Sequence, residues 1–187
     1  IRDIGVTGVQ TCALPIFIKN ECKITKNFNA IILRYFNPVG NHSSGLFGDS
    51  INSTNLMSNI IKSIKSKKTL QIYGNKYNTK DGTCIRDFIH IDDLVYGHII
   101  CLKQFNSLNN YKVYNLGSGK GYTVLEIIKQ MTEFFHINYI IDKERIGDIP
   151  IVYADISKIN KELGWYPKKS LVDICKDSCN YIEKSIL

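Results

Sequence analysis

Two arginines occupy positions from which a loop or strand end could present them to a phosphorylated ligand. Arg86 lies in a strand-like run beside Asp87, and Arg145 lies in a short loop that ends at Pro150. A planar guanidinium binds phosphate oxygens through two parallel hydrogen bonds, so this pair suits a pyrophosphate. Spacing alone leaves a second interpretation open, in which Arg86 forms an ion pair with Asp87 or Asp92 and Arg145 forms one with Asp148.

A glycine-rich loop at 117–121 is the second candidate for phosphate binding. It follows a predicted strand, precedes a predicted helix and carries Lys120, which is the arrangement that cradles phosphate in many folds. However, its G-x-G-x-G spacing is not the G-x-G-x-x-G of dinucleotide-binding proteins, and the chain has no G-x-x-x-x-G-K-[ST] motif. We therefore predict a turn at 117–121, not a phosphate site.

The elements that would position these residues begin with the run from Ile31 to Gly40. Apolar residues lead into Tyr35 and Phe36, and then Asn37 and Pro38 stop the run, which predicts a buried parallel strand opening into a loop. Ligands of α/β proteins bind beyond the carboxyl ends of such strands. The end of this strand is therefore the expected place for a site.

Further strands are predicted at 70–73, 84–91, 113–116 and 138–141, with helices between them. The helices have recognisable starts: Asn55, the pair Asp92 and Asp93, and capping boxes at 123–126 and 170–173. A last short helix is predicted between Asp155 and Gly164. Strands alternating with helices predict an α/β fold with parallel pairing.

Composition excludes several classes of protein. The 187-residue chain is 44% hydrophobic and 22% charged, with a net charge of +7, as in globular proteins. The basic cluster 62–68 falls where a helix ends and has no interleaved aromatic residues, so we predict a helix cap and no nucleic-acid partner. No apolar run approaches the roughly 18 residues of a membrane span, and no secretory leader is evident. We therefore expect no membrane partner and a cytoplasmic location.

Neither the cysteines nor the histidines form a metal-binding pattern. The six cysteines include no C-x-x-C pair, and the four histidines are not spaced as zinc ligands. We predict reduced thiols and no metal.

The first sixteen residues do not match the rest of the chain. The stretch 6–16 resembles one reading frame of a sequencing-library adapter. We therefore expect residues 1–16 to be non-native and exclude them from the fold. An independently sequenced transcript encoding them would contradict this.

A set of motifs, taken in order, identifies a family. The motifs are Leu33-Arg34-Tyr35-Phe36-Asn37-Pro38-Val39-Gly40, Thr54-Asn55-Leu56-Met57, Ile72-Tyr73-Gly74-Asn75, Asp81-Gly82-Thr83-Cys84-Ile85-Arg86-Asp87-Phe88-Ile89-His90-Ile91, Tyr114-Asn115-Leu116-Gly117-Ser118-Gly119 and Arg145-Ile146-Gly147-Asp148. With these motifs, the chain resembles the UDP-glucose 4-epimerases, which belong to the extended short-chain dehydrogenase/reductases, from residue 17 to its end.

The resemblance implies a fold and a reaction. Residues 17–187 would be the C-terminal part of a Rossmann-like NAD(P)-binding fold, whose last strands interleave with a small α/β substrate-binding domain. The family interconverts UDP-glucose and UDP-galactose through a 4-keto intermediate, using bound NAD. The resemblance also supports the prediction of a turn at 117–121.

The resemblance also assigns roles to residues of this chain. Phe36 would border the nicotinamide, and Asn37 and Asn55 would hydrogen-bond the substrate. The remaining assignments concern the UDP-hexose. Its uracil would be flanked by Gln71, Ile72 and Tyr73. Its diphosphate would be held by Arg86 and Arg145, and its ribose by Asp148.

The family's catalytic Tyr-x-x-x-Lys pair and its glycine fingerprint have no counterpart in this chain. The pair would fall just upstream of residue 17, so we assign no catalytic residue and expect an inactive C-terminal fragment. A homodimer is an expectation for the full-length enzyme only.

Val152 stands where some epimerases have a tyrosine that narrows the sugar pocket, which predicts that N-acetylated sugars are also accepted. The alternatives are a related UDP-pentose or UDP-N-acetylhexosamine 4-epimerase, or a non-catalytic nucleotide-binding module.

Overall fold

The computed structural model describes residues 8–48, 53–105, 107 and 110–186 as an α/β arrangement. The first part of the predicted non-native segment, residues 1–7, lies outside the described residues. The elements, in chain order, are α1 (Gly8–Ile24), β1 (Ala30–Tyr35), β2 (Asn37–Val39), α2 (Leu56–Ser66), β3 (Leu70–Tyr73), β4 (Ile85–Arg86), β5 (Phe88–His90), α3 (Ile91–Phe105), β6 (Tyr111–Leu116), β7 (Tyr122–Thr123), α4 (Val124–Thr132), β8 (Tyr139–Asp142), β9 (Ile151–Val152), α5 (Ser157–Leu163) and α6 (Leu171–Ile186).

Parallel pairing predominates, as the alternation of elements predicted. Strand β1 pairs with β6, β2 with β5, and β3 with β8, all in parallel. A three-stranded sheet has β4 at its centre, with β9 parallel and β7 antiparallel to it. Parallel neighbours bring the carboxyl ends of their strands to the same edge, which is where loops can build a site.

The predicted single strand at 84–91 is wrong in one respect, because the run is broken at Asp87. Strand β4 ends at Arg86 and pairs with β7 and β9, whereas β5 begins at Phe88 and pairs with β2. The carboxylate of Asp87 is held by backbone N–H groups from distant loops, and this contact lies at the break between the two strands.

Three predicted helix starts are confirmed, whereas Asp92 and Asp93 lie within the first turn of α3, which begins at Ile91, and do not precede it. Asn55 is the N-cap of α2, and its side chain accepts a hydrogen bond from the backbone N–H of Ser58. A full capping box joins Thr123 and Glu126 at the start of α4. The side chain of Ser170 likewise accepts from the backbone N–H of Asp173 before α6. Each cap satisfies N–H groups that the first helical turn leaves unpaired.

Two hydrophobic clusters form the core, and β5 lies between them. Phe88 packs with residues of α2, α4 and α6, whereas the next residue, Ile89, packs with residues of α3, β6 and α5 around Trp165. Adjacent strand residues point to opposite faces, so one short strand serves both clusters. Phe88 and Ile89 are 2% and 0% exposed, which makes β5 a rigid support for whatever its neighbours carry.

Within the described part of the chain, no helix is both long enough and apolar enough to cross a membrane.

Candidate functional site

A cavity of about 710 Å³ opens where β1 passes into β2. Its wall is completed by the start of α2, strand β3, strand β4 and the turn that follows β8. All nine residues predicted to bind cofactor or substrate line it: Phe36, Asn37, Asn55, Gln71, Ile72, Tyr73, Arg86, Arg145 and Asp148. Their individual roles remain predictions, but residues separated by up to 112 positions share one cavity.

The backbone at the junction of β1 and β2 is fixed from both sides. The N–H of Phe36 donates to the carbonyl of Leu116 at 3.1 Å, and the N–H of Asn37 donates to the carbonyl of Asp87 at 3.0 Å. Phe36 and Asn37 are each half-buried. A backbone held on two neighbouring strands places both side chains at the cavity with little freedom.

Asn55 has a structural contact in addition to its predicted substrate contact. Its Oδ1 accepts from the N–H of Ser58 at 2.8 Å, and its Nδ2 donates to Oγ of Ser53 at 2.9 Å. The amide is therefore oriented by the start of α2. A substrate group would hydrogen-bond this amide in an orientation that the helix cap already sets.

Strand β3 divides its residues between the cavity and the core. Gln71 and Tyr73 lie on one face, and the Tyr73 hydroxyl donates to Oε1 of Gln71 at 3.1 Å. Ile72 faces the other way and is 2% exposed, within the core cluster that contains Phe88. Ile72 therefore borders the cavity from the core side, and Gln71 and Tyr73 offer the more accessible surface.

Arg86 contacts the loop that carries the other predicted phosphate ligand. Its Nη1 donates to the carbonyls of Ile149 at 2.6 Å and Ile85 at 2.9 Å, and its Nη2 lies 3.8 Å from Oδ1 of Asp148. The alternative ion pair with Asp87 or Asp92 is wrong, since Asp148 is the carboxylate that faces Arg86. Strand β4 and the 145–150 loop are thus tied together through one guanidinium.

Arg145 stacks on an aromatic ring. The centre of its guanidinium lies 3.7 Å from the centroid of the Tyr73 ring. The alternative ion pair between Arg145 and Asp148 is wrong, because Asp148 faces Arg86 instead. Among the described residues, no carboxylate forms a salt bridge with Arg145. Arg145 lines the cavity, and no salt bridge within the described part of the chain neutralises its charge.

The glycine loop at 117–121 is a turn, as predicted, and its N–H groups bind the carboxylate of Asp87. Oδ1 of Asp87 accepts from the N–H of Ser118 at 2.6 Å and from its hydroxyl at 2.7 Å. Oδ2 accepts from the N–H groups of Gly119 at 2.9 Å and Ala154 at 3.0 Å. These donors would otherwise attract an anion, and Asp87 already supplies one from within the fold.

Two residues near the cavity carried no individual prediction. Cys84 lines the cavity and is 5% exposed. Tyr77 lies nearby, and burial together with the Cys84 thiol raises the pKa of its hydroxyl to about 12. Cys84 lies within the Asp81–Ile91 motif and Tyr77 lies four residues before it, so the motif was the available signal. At neutral pH Tyr77 is protonated, so it can donate a hydrogen bond but cannot act as a base.

Val152, which the resemblance placed at the sugar pocket, lies on β9 in register with Arg86. It is half-buried and stands outside the set of residues that line the cavity. Its effect on sugar choice stays a prediction.

The spacing Tyr-x-x-x-Lys does occur once, at Tyr139 and Lys143. Tyr139 is in strand β8, and four residues of strand span about 13 Å, whereas one helical turn would bring such side chains together. Neither residue lines the cavity. The pair therefore lacks the geometry of a base and its activating cation.

Comparison with known proteins supplies the family. Residues 19–117, just over half of the chain, match the model of the NAD dependent epimerase/dehydratase family. The chain belongs to this family. The resemblance inferred from the motifs is confirmed, and the match includes β1, β2, β3 and Arg86 of the cavity.

Curated relatives of this epimerase-family chain include UDP-glucose 4-epimerases from Dictyostelium discoideum and from Homo sapiens. The former is 43% identical over 167 residues and the latter 38% identical over 165. Each alignment covers 86% of this chain but only 48% or 47% of the relative. The chain thus spans about half the length of the curated relatives it matches.

Solved structures agree with the fold. A UDP-glucose 4-epimerase from Stenotrophomonas maltophila, with bound NAD and formylated UDP-arabinopyranose, matches with a TM-score of 0.89 at 31% identity, covering 95% of this chain and 54% of that one. The enzyme from Bifidobacterium longum, in complex with NAD+ and UDP, matches with a TM-score of 0.86 at 35% identity, covering 96% and 55%. The α/β, Rossmann-like assignment is confirmed.

Proposed function

We propose that this chain forms the UDP-sugar-binding part of a UDP-glucose 4-epimerase. The observation that carries the proposal is the single cavity in which all nine predicted residues meet, with the amides of Asn37 and Asn55 and two guanidinium groups in its wall. The proposal is supported by the sequence identity of 43% and 38% to two UDP-glucose 4-epimerases over 86% of the chain. The interconversion of UDP-glucose and UDP-galactose would be the reaction of the whole protein.

Charge and shape assign the parts of the ligand. The Arg145 and Arg86 guanidiniums would bind the diphosphate. Among the described residues, no carboxylate forms a salt bridge with Arg145, so its positive charge is available to a phosphate. The side chains of Gln71 and Tyr73 would flank the uracil, and Asp148 would accept a ribose hydroxyl. The hexose would then extend toward the β1–β2 junction, where Asn37 and Asn55 offer amides.

Among the described residues, Phe36 offers a contact for the nicotinamide end of NAD. Phe36 is half-buried, lines the cavity and follows the end of β1, so it can pack against a nicotinamide. The glycine loop offers no open cradle for the dinucleotide phosphates, because Asp87 fills it. NAD, when bound, supplies a hydride acceptor for the sugar C4 position. The role of this chain is to hold the sugar nucleotide in a fixed orientation beside Phe36.

Calorimetric titration of the chain with UDP, UMP and uridine tests the proposal. We expect UDP to bind more tightly than uridine, and Arg145→Ala to weaken UDP binding by about 10-fold while changing uridine binding little. The matched control is Arg34→Ala, which removes an exposed arginine from β1 outside the cavity wall. Absence of UDP binding by the folded chain would refute the proposal.

The identity of the sugar is a separate question, because the UDP contacts are common to several substrates. One matched structure contains formylated UDP-arabinopyranose, and another is a UDP-Glc/GlcNAc 4-epimerase from Campylobacter jejuni with a TM-score of 0.73 at 30% identity. These observations favour a UDP-pentose or UDP-N-acetylhexosamine as the alternative. Turnover of the competing substrates by the full-length protein decides between them, and Val152→Tyr should selectively lower turnover of the N-acetylated sugar.

We also propose that residues 1–16 lie outside the family fold. The family match begins at residue 19, although the structure continues α1 back to Gly8. A chain beginning at residue 17 should keep the thermal stability and UDP affinity of the longer chain. A clear loss of either would show that the segment belongs to the fold.

The cytoplasmic location and the homodimer are proposals for the full-length protein that rest on the resemblance. Cell fractionation and sedimentation of that protein test them.

A further inference from the structure

We infer that Tyr73 is a positioning residue for Arg145, and that the ring acts on the diphosphate end of the ligand through the guanidinium that it supports. The inference rests on the proposed function, because it assigns the role of Tyr73 within the UDP site. It adds a second role to the proposed contact between Tyr73 and the uracil.

The first step is the geometry of the pair. The guanidinium carbon of Arg145 lies 3.7 Å from the centroid of the Tyr73 ring, which is stacking distance. A guanidinium over an aromatic face is attracted by the partial negative charge that the ring quadrupole places on that face, and it is weakly hydrated on its flat side. Its N–H groups, which lie in its plane, remain available to a planar or tetrahedral anion.

The second step is that the two arginines of the site are held differently. Arg86 has carbonyl and carboxylate partners, Ile149, Ile85 and Asp148, and its side chain is 20% exposed. Arg145 is exposed, and among the described residues it forms no salt bridge. The Tyr73 ring is thus the contact through which the fold orients the Arg145 side chain.

The third step is that the ring is itself fixed. Tyr73 ends β3, which pairs in parallel with β8, and its partner in register is Asp142. Its hydroxyl donates to Gln71 at 3.1 Å. The next residue, Gly74, has φ of +81°, and its N–H donates to the Asp142 carbonyl at 3.0 Å. A ring anchored at the end of a paired strand can limit the rotamers of a long side chain from the adjacent turn.

The consequence concerns discrimination between ligands. A positioning effect through Arg145 strengthens binding only where the ligand carries phosphate, whereas a uracil contact would strengthen binding of UDP and uridine equally. The ratio of the uridine and UDP dissociation constants therefore reports the role of Tyr73.

The experiment measures this ratio by calorimetry for the wild-type chain and for Tyr73→Leu, Tyr73→Phe and Tyr139→Leu. Tyr73→Phe keeps the ring and loses only the hydroxyl. Tyr139→Leu makes the same change in β8 of the same sheet, away from the cavity. We expect Tyr73→Leu to lower the ratio by about 3- to 10-fold, and the other two variants to leave it unchanged within about 1.5-fold.

A double-mutant cycle and a ligand-free measurement complete the test. In an Arg145→Ala background, Tyr73→Leu should no longer change the ratio. In the NMR spectrum of the unliganded chain, the Arg145 Hδ signals should be shifted upfield by the ring in wild type and Tyr73→Phe, and should return to ordinary values in Tyr73→Leu.

The inference would be overturned if Tyr73→Leu weakened the binding of UDP and uridine equally, or if the Arg145 Hδ signals had the same chemical shift with and without the ring. Neither result would contradict the proposed UDP site. A wild-type chain that binds neither ligand would overturn the proposed function, and the inference with it. Because the ring-current shift needs no ligand, these two failures are distinguishable. Far-ultraviolet circular dichroism confirms that each variant is folded, and Tyr73→Met, which also removes the ring, replaces Tyr73→Leu if the leucine variant is not folded.

Discussion

The carboxylate of Asp87 accepts a hydrogen bond from the backbone N–H of Gly119 at 2.9 Å. Three further donors from the 118 and 154 positions complete the set, and Asp87 is 1% exposed. This contact ties the break between β4 and β5 to the loop after β6. It also explains why a loop with the outward features of a phosphate cradle does not require phosphate.

Removing the Asp87 carboxylate should destabilise the fold strongly. Asp87→Ala leaves one buried donor, the N–H of Ala154, and three partly buried donors of Ser118 and Gly119 without this acceptor. We therefore expect a loss of about 3 kcal/mol or more in the free energy of unfolding. Asp87→Asn retains one acceptor oxygen and should cost about half as much. Urea denaturation of the three proteins measures the difference. Equal stabilities for wild type and Asp87→Ala would show that the loop donors find other partners.

The matched control for Asp87 is Asp155→Asn. Asp155 is exposed and accepts from the N–H of Ser157 at 2.9 Å. Hydrogen bonding to the Ser157 side chain and then to its backbone N–H lowers the pKa of the Asp155 carboxyl. Because the group is exposed, water replaces a lost contact easily, and we expect a small effect on unfolding. A similar loss in both variants would indicate that burial of the Asp87 cluster contributes little.

Arg86 should affect the ligand partly through the loop it holds. Arg86→Ala removes the contacts to Ile149 and Asp148, so we expect UDP binding to weaken by at least about 30-fold and the 145–150 backbone to gain motion. Arg86→Lys keeps the charge but cannot form both carbonyl contacts in the same plane. Its UDP affinity should therefore lie between those of wild type and Arg86→Ala. Calorimetry and NMR relaxation measure these effects.

Asp148→Asn separates the ion pair from the carbonyl contacts of Arg86. The side chain of Asp148 is 36% exposed and lies 3.8 Å from Arg86, and exposed pairs of this kind contribute little to stability. We expect the free energy of unfolding to change by less than about 1 kcal/mol. A much larger loss would assign the attachment of the loop to the charge and not to the carbonyl contacts.

The sequence predicted features that depend on neighbouring residues. The capping residues Asn55, Thr123 and Ser170 were predictable because the chemistry of a helix start lies within four residues. The turn at 117–121 followed from glycine spacing. The motifs also identified the residues that meet in the cavity, although only the resemblance, and no local pattern, could bring Phe36 and Arg145 together.

What the sequence could not predict depends on partners that are far apart in the chain. Asp87 seemed a partner for Arg86 because it is adjacent, yet its donors lie 31, 32 and 67 residues away. Arg145 seemed a partner for Asp148, but the ring of Tyr73 holds it instead. In both cases a tertiary contact took the place of the expected local one. Asp87 accepts hydrogen bonds from the N–H groups of distant loops, and Arg145 stacks on the face of an aromatic ring.

His90 is a second example of a distant contact. Its Nε2 lies 3.1 Å from Oδ2 of Asp177, which is 87 residues away on α6. Asp92 is also near, so three potential metal ligands converge that the sequence did not predict to meet. However, the ammonium of Lys169 lies 3.1 Å from Asp177 and 3.8 Å from Asp92. This lysine supplies the positive charge that the carboxylates attract.

The same cluster predicts how stability depends on pH. The side chain of His90 is 0% exposed, and its Nδ1 accepts from the N–H of Asp92 at 3.0 Å, so the neutral ring carries its proton on Nε2 and donates to Asp177. Burial lowers the pKa of His90; Lys169 also lowers it, and Asp92 and Asp177 oppose the shift. Protonation of the folded state therefore occurs at lower pH than protonation of the unfolded chain.

Because the unfolded chain binds the proton first, stability from this group is fully present above about pH 6.5 and falls as the pH decreases through the lower folded-state pKa. The slope is at most about 1.4 kcal/mol per pH unit. Urea denaturation at several pH values should show this decline for wild type and for His136→Gln, which alters an exposed histidine. His90→Gln should be less stable at pH 7.5 but lose less on acidification. NMR titration of the His90 ring in wild type gives the folded-state pKa directly, and a pKa above about 6.5 would contradict the predicted sign.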